Sequence, residues 1–165
     1  MGPPLPIQTR AGRANPAGIP YLYVAEEEET AVAEIRPHIG AVITIATIVS
    51  NHELKVVDLT NCPFVTSPFG HADLADELRK TAILRIFNEE LSKPIEPDIA
   101  DIEYLPTQYL AEAILDAGYD GILYTSSIVK NGNNVVFFDA SNFVIEDTRL
   151  LSISGQKIEY RSIWG

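Results

Sequence analysis

An arginine, a tyrosine and a glutamate occur close together near the start of the sequence, and their types suit recognition of a small anionic molecule. Arg13 lies in the glycine-rich stretch GRANPAG, Tyr23 in the aromatic stretch YLYVA, and Glu34 in the stretch TAVAEIR. Glycine lets a backbone approach a phosphate closely, and the planar guanidinium of arginine matches phosphate oxygens. A second polar group, YTSS at residues 124–127, follows a later strand-like stretch.

Glu34 is the most informative of these residues because its neighbours are apolar. Val32, Ala33 and Ile35 surround it in sequence, so its carboxylate is expected near buried surface, where a charge needs a partner. The alternative is an ordinary solvated helix face, with Glu34 paired to Arg36. We favour a functional carboxylate.

Several other kinds of chemistry find no support in the sequence. The sequence contains no P-loop, dinucleotide-binding glycine fingerprint, HExxH or GxSxG motif. His38, His52 and His71 lack the spacing of metal ligands, and the single cysteine, Cys62, cannot complete a zinc site or an internal disulfide. The sequence therefore predicts a site without a metal.

The composition predicts one globular domain that avoids polyanions. The 165 residues are 46% hydrophobic and 21% charged, and the net charge is −11. Binding to nucleic acid or to an anionic membrane depends on lysine and arginine, so we expect neither partner. A small anion needs only a local positive cluster, for which Arg10, Arg13 and Arg36 are candidates.

The hydrophobic pattern also bears on location. The longest apolar run, residues 41–49, is too short to span a bilayer and is typical of a buried strand. The N-terminus lacks the apolar segment of a signal peptide. Together with the single cysteine, these features predict a cytoplasmic protein.

The first half of the chain is predicted to begin with a flexible tip, residues 1–11, followed by a catalytic domain over residues 12–165. A loop is expected at 12–18, a strand at 21–25 and a helix at 26–36 that Pro37 ends. Strands are expected at 41–49 and 54–59, and the turn at Asn51 and His52 predicts that they form a hairpin.

The second half alternates long helices with short strands. Helices are predicted at 72–91, closed by Pro94 and Pro97, and at 105–117, with Gly118 as the C-terminal cap. Short strands are predicted at 121–125, 135–138, 143–145, 150–153 and 157–161. Strict βαβ alternation is missing, so we expect an α+β fold, a single domain with a central mixed or antiparallel sheet and flanking helices.

The ordered set of motifs resembles the RES domain family, which is named for an arginine, a glutamate and a serine. The similar stretches are GRANPAG, YLYVA, TAVAEIRP, YDGILYTSS and NNVVFFD. They extend from residue 12 to about residue 143, which is most of the chain.

This resemblance implies a fold similar to the ADP-ribosyltransferases, including diphtheria toxin, and degradation of NAD by phosphorolysis or hydrolysis. NAD is then the substrate, phosphate a co-substrate of the phosphorolytic reaction, and no cofactor stays bound. Many family members are bacterial toxins paired with an antitoxin, others are fused to a HEPN-like domain, and members often form homodimers. The resemblance therefore implies an antitoxin or a fused upstream domain as partner.

The family positions map onto this sequence residue by residue. The implied catalytic residues are Arg13, Tyr23, Glu34 and Ser126, and the implied NAD-binding residues are Arg13, Asn15, Tyr23, Arg36 and Ser127. Arg13 would bind the pyrophosphate, Tyr23 would stack on the nicotinamide ring, and Glu34 would stabilise the ribose cation. Ser127 is the alternative to Ser126 as the family serine, and Asn15 is also expected to shape the loop.

Other functions are compatible with the same sequence. The chain could be an ADP-ribosyltransferase that modifies a macromolecule, a binding module for NAD or another nucleotide without catalysis, or a structural interaction domain.

Overall fold

The structure, a computed structural model, describes residues 2–61, 74–93 and 103–155. The helices are α1 (Glu28–Glu34), α2 (Leu74–Ser92) and α3 (Leu105–Asp116). The strands are β1 (Leu22–Ala25), β2 (Val42–Ser50), β3 (Val56–Asp58), β4 (Gly121–Thr125), β5 (Asn133–Phe137) and β6 (Phe143–Ser152). Single-turn 3₁₀ helices occur at Pro6–Gln8 and Ala140–Asn142.

The strands form two sheets, and the larger one carries the polar residues singled out by the sequence. Its order is β1-β5-β4-β3, with β1 and β4 antiparallel to β5 and β3 parallel to β4. The other sheet is a ribbon in which β2 and β6 pair antiparallel. The predicted α+β class with a mixed sheet is confirmed.

The predicted hairpin between residues 41–49 and 54–59 is wrong. β2 pairs with the distant β6, and β3 pairs with β4 in the larger sheet. The turn at Asn51 and His52 is present, but it leads from one sheet to the other. The two short strands predicted at 143–145 and 150–153 are one continuous strand, interrupted in its pairing only by an irregularity beside Thr47 and Ile48.

The core lies between the larger sheet and helices α2 and α3. Ile122 and Val136 are fully buried in the centre of the sheet, and Leu91 of α2 and Ala111 of α3 pack into the same cluster. Burial of this apolar surface is the main favourable term that holds the helices on the sheet.

The helix ends near the candidate site follow backbone rules. α1 ends at Glu34, two residues earlier than predicted, because Arg36 takes a left-handed conformation (φ 46°) that stops the helix before Pro37. α3 begins with a proline in its first turn and is followed by Gly118 in the left-handed region (φ 82°), as predicted.

Other sequence predictions fall partly or wholly outside the described residues. α2 matches the predicted helix over its described part, and the strand predicted at 157–161, Cys62, His71, Pro94 and Pro97 lie outside the described residues. Within the predicted tip, Thr9 is buried and its carbonyl accepts a hydrogen bond from Gly18 N over 3.0 Å. The domain boundary at residue 12 stays a prediction.

In the described part of the chain, no helix is both long and apolar enough to cross a bilayer.

Candidate active site

Glu34 lies at the C-terminal end of α1, where its carboxylate accepts two side-chain hydrogen bonds. Ser126 Oγ donates to Glu34 Oε1 over 2.9 Å, and Asn134 Nδ2 donates to the same oxygen over 2.6 Å. The negative end of a helix dipole disfavours a carboxylate, so these donors offset an unfavourable placement. A residue that contradicts its local preference is typical of a functional site. We call Glu34, Ser126 and Asn134 the carboxylate cluster.

Ser126 is fixed by its own turn as well as by Glu34. Its backbone N–H donates to the Gly132 carbonyl over 2.8 Å, and its hydroxyl oxygen accepts from the N–H groups of Ile128 and Val129 over 3.1 and 3.2 Å. These bonds direct the hydroxyl hydrogen toward Glu34. Ser127 is exposed and has no such contact in the described part of the chain. The structure therefore brings Ser126, and not Ser127, to the glutamate.

Asn134 is a member of the cluster that the sequence reasoning missed. It is buried in β5, directly opposite Ala25 of β1 and Tyr124 of β4. A buried amide in a central strand needs partners, and Glu34 provides one. The sequence offers only a partial signal: Asn134 directly precedes the apolar run that starts at Val135 and alternates onto the same face as Val136, but this pattern does not identify Glu34 as its partner.

The loop that carries Arg13 is organised around the side chain of Asn15. The Tyr23 hydroxyl donates to Asn15 Oδ1 over 2.8 Å and accepts from the Ala14 N–H over 3.0 Å. Asn15 Nδ2 donates to the carbonyls of Arg10 and Pro16 over 3.0 and 3.1 Å. Residues 10–16 form what we call the arginine loop. Asn15 shapes this loop, and its contact with NAD stays a prediction.

Helix α3 holds the arginine loop from the other side. Gln108 Nε2 donates to the carbonyls of Gly12 and Asn15, each over 3.0 Å, and the Thr107 hydroxyl donates to the Arg13 carbonyl. Thr107 and Gln108 are both buried. The sequence reasoning missed both residues, because the burial that requires them to have partners is evident only in the structure.

The guanidinium of Arg13 is anchored at one point only in the described structure. Its Nη1 donates to the Leu91 carbonyl near the C-terminal end of α2, where the helix dipole favours a positive charge. The guanidinium has five N–H donors, so most of them stay available for an anion.

Helix α2 also fixes the strand end that precedes Ser126. The Thr125 N–H donates to Asn88 Oδ1 over 3.0 Å, and Asn88 Nδ2 donates to Thr125 Oγ1 over 3.1 Å. Ser92 Oγ donates to the Thr125 carbonyl over 2.6 Å. One helix thus positions both the arginine and the serine of the site, and the sequence reasoning missed Asn88 and Ser92.

The sheet register places the site residues on one face. Residues opposite each other in an antiparallel pair point to the same face, and successive residues alternate. Asn134 is flanked by Tyr124, and the next residue on that face, Val136, is flanked by Tyr23. Tyr23, Tyr124 and Asn134 therefore share the face that lies against α1 and the arginine loop.

Tyr23 is an exposed residue whose hydroxyl is nevertheless held by the arginine loop. The residue is 41% exposed, yet its hydroxyl lies between Ala14 and Asn15. Burial of the hydroxyl raises the pKa of Tyr23 to about 12, against a smaller lowering by the hydrogen bonds to the loop. The hydroxyl stays protonated at neutral pH, and the exposed ring surface is free for stacking.

The side chains of two arginines proposed from the sequence take no part in these contacts. Arg10 and Arg36 are exposed, and neither forms an ion pair or side-chain hydrogen bond within the described residues. Arg36 lies two residues after Glu34, at the left-handed turn that ends α1. A role in binding NAD stays a prediction for Arg36.

No metal site is evident in residues 2–61, 74–93 and 103–155, since they contain no group of three or more His, Cys, Asp or Glu side chains placed to hold an ion. An open depression lined by Ser50, His52, Phe137 and Phe143 lies away from the carboxylate cluster. Phe137 alternates onto the sheet face opposite Tyr23 and Asn134. We therefore place the candidate site at the carboxylate cluster and the arginine loop, and not at this depression on the other face of the sheet.

Thr30, one turn before Glu34 in α1, yields a stability prediction. It is 0% exposed, and among the described residues its hydroxyl is the buried side-chain group that finds no hydrogen-bond partner. Replacing it with the isosteric valine should raise the free energy of unfolding by roughly 1–3 kcal/mol, because the desolvation penalty of the unpaired hydroxyl disappears. Urea denaturation measures the change.

The matched control for Thr30→Val is Thr107→Val. The Thr107 hydroxyl is buried and donates to the carbonyl of Arg13, so its removal should lower stability. A loss of stability in Thr30→Val as large as that in Thr107→Val would contradict the prediction, since it would mean that a partner satisfies the Thr30 hydroxyl.

Comparison with known proteins identifies the family of the chain. The sequence model of the RES domain matches residues 2–160, which is nearly the whole chain. A comparison with curated proteins gives no match. The arginine loop, the tyrosine beneath it and the glutamate–serine contact lie within the matched residues, and the chain belongs to the RES domain family.

Proposed function

We propose that this protein cleaves the bond between nicotinamide and ribose in NAD. The RES domain family is associated with NAD-processing enzymes and with toxins. The observation that carries the proposal is the juxtaposition of two units on one sheet face, namely the arginine loop with Tyr23 and the carboxylate cluster of Glu34, Ser126 and Asn134. One unit suits an anion and a flat ring, and the other suits a developing cation.

In this proposal, Arg13 binds the pyrophosphate of NAD through the donors that Leu91 leaves available. Tyr23 stacks its exposed ring surface on the nicotinamide. These contacts hold the ribose beside Glu34, which gives the reaction the advantage of a fixed geometry.

The chemical step breaks the glycosidic bond with its electron pair moving to the nicotinamide nitrogen, which neutralises the charge of the pyridinium ring. Positive charge develops on the ribose, and the Glu34 carboxylate stabilises it electrostatically. Ser126 and Asn134 both bind Oε1, so the other carboxylate oxygen is left without a partner in the described structure and can face the ribose. Water or phosphate then forms the new bond to the ribose carbon and releases a proton when water is the acceptor.

Such an activity would deplete cellular NAD, which supports a role as a bacterial toxin that acts in the cytoplasm. An antitoxin or a fused upstream domain would then restrain the enzyme. The likeness to ADP-ribosyltransferases and the formation of a homodimer also belong to this proposal.

Incubation with NAD tests the proposal directly. We expect release of nicotinamide, which chromatography detects. The second product should be ADP-ribose when water is the acceptor and ADP-ribose 1-phosphate when phosphate is the acceptor. A rate that rises with phosphate concentration identifies a phosphorylase, and an unchanged rate identifies a glycohydrolase. Radioactivity from labelled NAD on a protein or nucleic acid would indicate a transferase instead. A folded protein that releases no nicotinamide would contradict cleavage of NAD.

A further inference from the structure

Tyr124 lies in the middle of the candidate site but takes part in none of the hydrogen bonds described above. It is directly opposite Asn134 in the register of β4 and β5, and it shares a sheet face with Tyr23. It is 5% exposed, and its ring packs in the main core cluster. Its hydroxyl forms no hydrogen bond within the described residues, and it is not one of their fully enclosed polar atoms without a partner, so the hydroxyl keeps some access to the surface.

The surroundings of this hydroxyl come from both units of the site. Burial is the largest cause that raises the pKa of Tyr124 above its ordinary value. The phenol of Tyr23 and the charge of Glu34 also raise it, and the charge of Arg13 lowers it. Tyr124 therefore lies within electrostatic reach of the carboxylate cluster and of the arginine loop. Its hydroxyl keeps its proton at neutral pH and can act as a donor.

We infer that the Tyr124 hydroxyl binds the substrate and donates a hydrogen bond to an oxygen of the ribose-phosphate portion, between the groups bound by Glu34 and Arg13. The inference rests on the proposed function, because that function places a ribose beside Glu34 and a phosphate beside Arg13. The ligand class is a ribose 5-phosphate ester such as the ADP-ribose part of NAD. The ligand then supplies the hydrogen-bond partner that this hydroxyl lacks among the described residues.

A second buried tyrosine provides a matched comparison. Tyr21 is 6% exposed, packs in the same core against Phe138 with ring centroids 5.0 Å apart, and likewise shows no hydroxyl hydrogen bond among the described residues. Burial raises the pKa of Tyr21, and the charge of Glu112, an exposed residue of α3, adds to the rise, whereas neither Glu34 nor Arg13 contributes to it. The two tyrosines therefore differ in location more than in burial.

The experiment compares Tyr124→Phe with Tyr21→Phe in the full chain. Calorimetry measures the Kd for ADP-ribose, which does not depend on turnover, and nicotinamide release measures kcat/KM for NAD. Tyr124→Phe should weaken ADP-ribose binding by about 10-fold and lower kcat/KM by about 10- to 100-fold, since it removes one hydrogen bond to a polar or charged ligand group. Tyr21→Phe should change both values less than 2-fold, as a variant outside the substrate contacts.

The results separate this inference from the proposed function. Weaker ADP-ribose binding in Tyr124→Phe, but not in Tyr21→Phe, supports the inference. Absence of nicotinamide release by the unsubstituted protein would overturn only the proposed cleavage of NAD. Equal ADP-ribose affinity in Tyr124→Phe and the unsubstituted protein, or no ADP-ribose binding to either, would overturn the inference. If Tyr124→Phe does not fold, a crystal structure with ADP-ribose decides, because the inference fails when no ligand oxygen lies within 3.5 Å of the Tyr124 hydroxyl, roughly the limit of a hydrogen bond.

Discussion

Replacing Glu34 by glutamine is expected to slow nicotinamide release by about 100- to 1,000-fold while the protein stays folded. Loss of a preorganised group that stabilises transition-state charge costs roughly 2.7–4 kcal/mol in other enzymes, which corresponds to this range. The amide oxygen of glutamine can still accept from Ser126 and Asn134, so the contacts that fix the end of α1 are retained. The measurement is kcat for NAD together with the thermal unfolding temperature.

Glu26→Gln is a matched control for Glu34→Gln. Glu26 also accepts a side-chain hydrogen bond from an asparagine of β5, from Asn133 over 2.8 Å, but it is exposed and its partner lies on the other sheet face. The control should keep the full rate. Equal rates in the two variants would remove the Glu34 carboxylate from the mechanism.

Adding a methyl group at Gly12 is expected to damage the arginine loop and lower both activity and stability. A Cβ on Gly12 would overlap Asn15 Oδ1 and would lie 2.9 Å from the Tyr23 hydroxyl oxygen. Asn15 cannot rotate away without giving up its bonds to Arg10, Pro16 and Tyr23. Overpacking of this kind costs about 1–3 kcal/mol of folding free energy. Because Arg13 follows directly, kcat/KM should fall by about 10-fold or more, as expected when a binding group is misplaced.

Gly155→Ala provides the control for Gly12→Ala, since a Cβ at Gly155 meets no atom of the described residues within 4 Å and the residue has no left-handed backbone. Steady-state kinetics and thermal unfolding of both variants check the prediction. Normal kinetics and stability in Gly12→Ala would contradict the prediction. They would show that the arginine loop accommodates the methyl group and that its close packing at Gly12 is not needed for activity.

The sequence indicated the local elements better than the connections between them. The strand at residues 121–125 and the helix that begins at Leu105 depend on local signals, namely β-branched residues, a proline in the first turn and a glycine at the end. The hairpin prediction failed because sequence neighbours often pair, whereas β2 here pairs with a strand near the other end of the described chain. The alternation of apolar residues indicates which face of a strand is buried, but it does not determine which other strand pairs with it.

The same distinction explains which site residues were found. Arg13, Tyr23 and Glu34 occur in one short stretch, and the family pattern added Ser126. Asn134, Gln108 and Asn88 were missed because each acts through a contact with residues far away in sequence: Glu34, the arginine loop and Thr125 respectively. Single-sequence patterns contain little information about such contacts.

The order of the chain also determines when the site can form. Glu34 contacts Ser126, 92 residues later in the sequence, and Asn134, 100 residues later. Strand β2 pairs with β6, which lies near the far end of the described chain. Contacts between residues so far apart in sequence require the chain to lose conformational entropy on closing a long loop before the contact contributes stability, and this makes folding slow. During synthesis, the arginine loop and Glu34 emerge from the ribosome long before β5 does. The nascent chain therefore has no assembled carboxylate cluster until β5 has been translated.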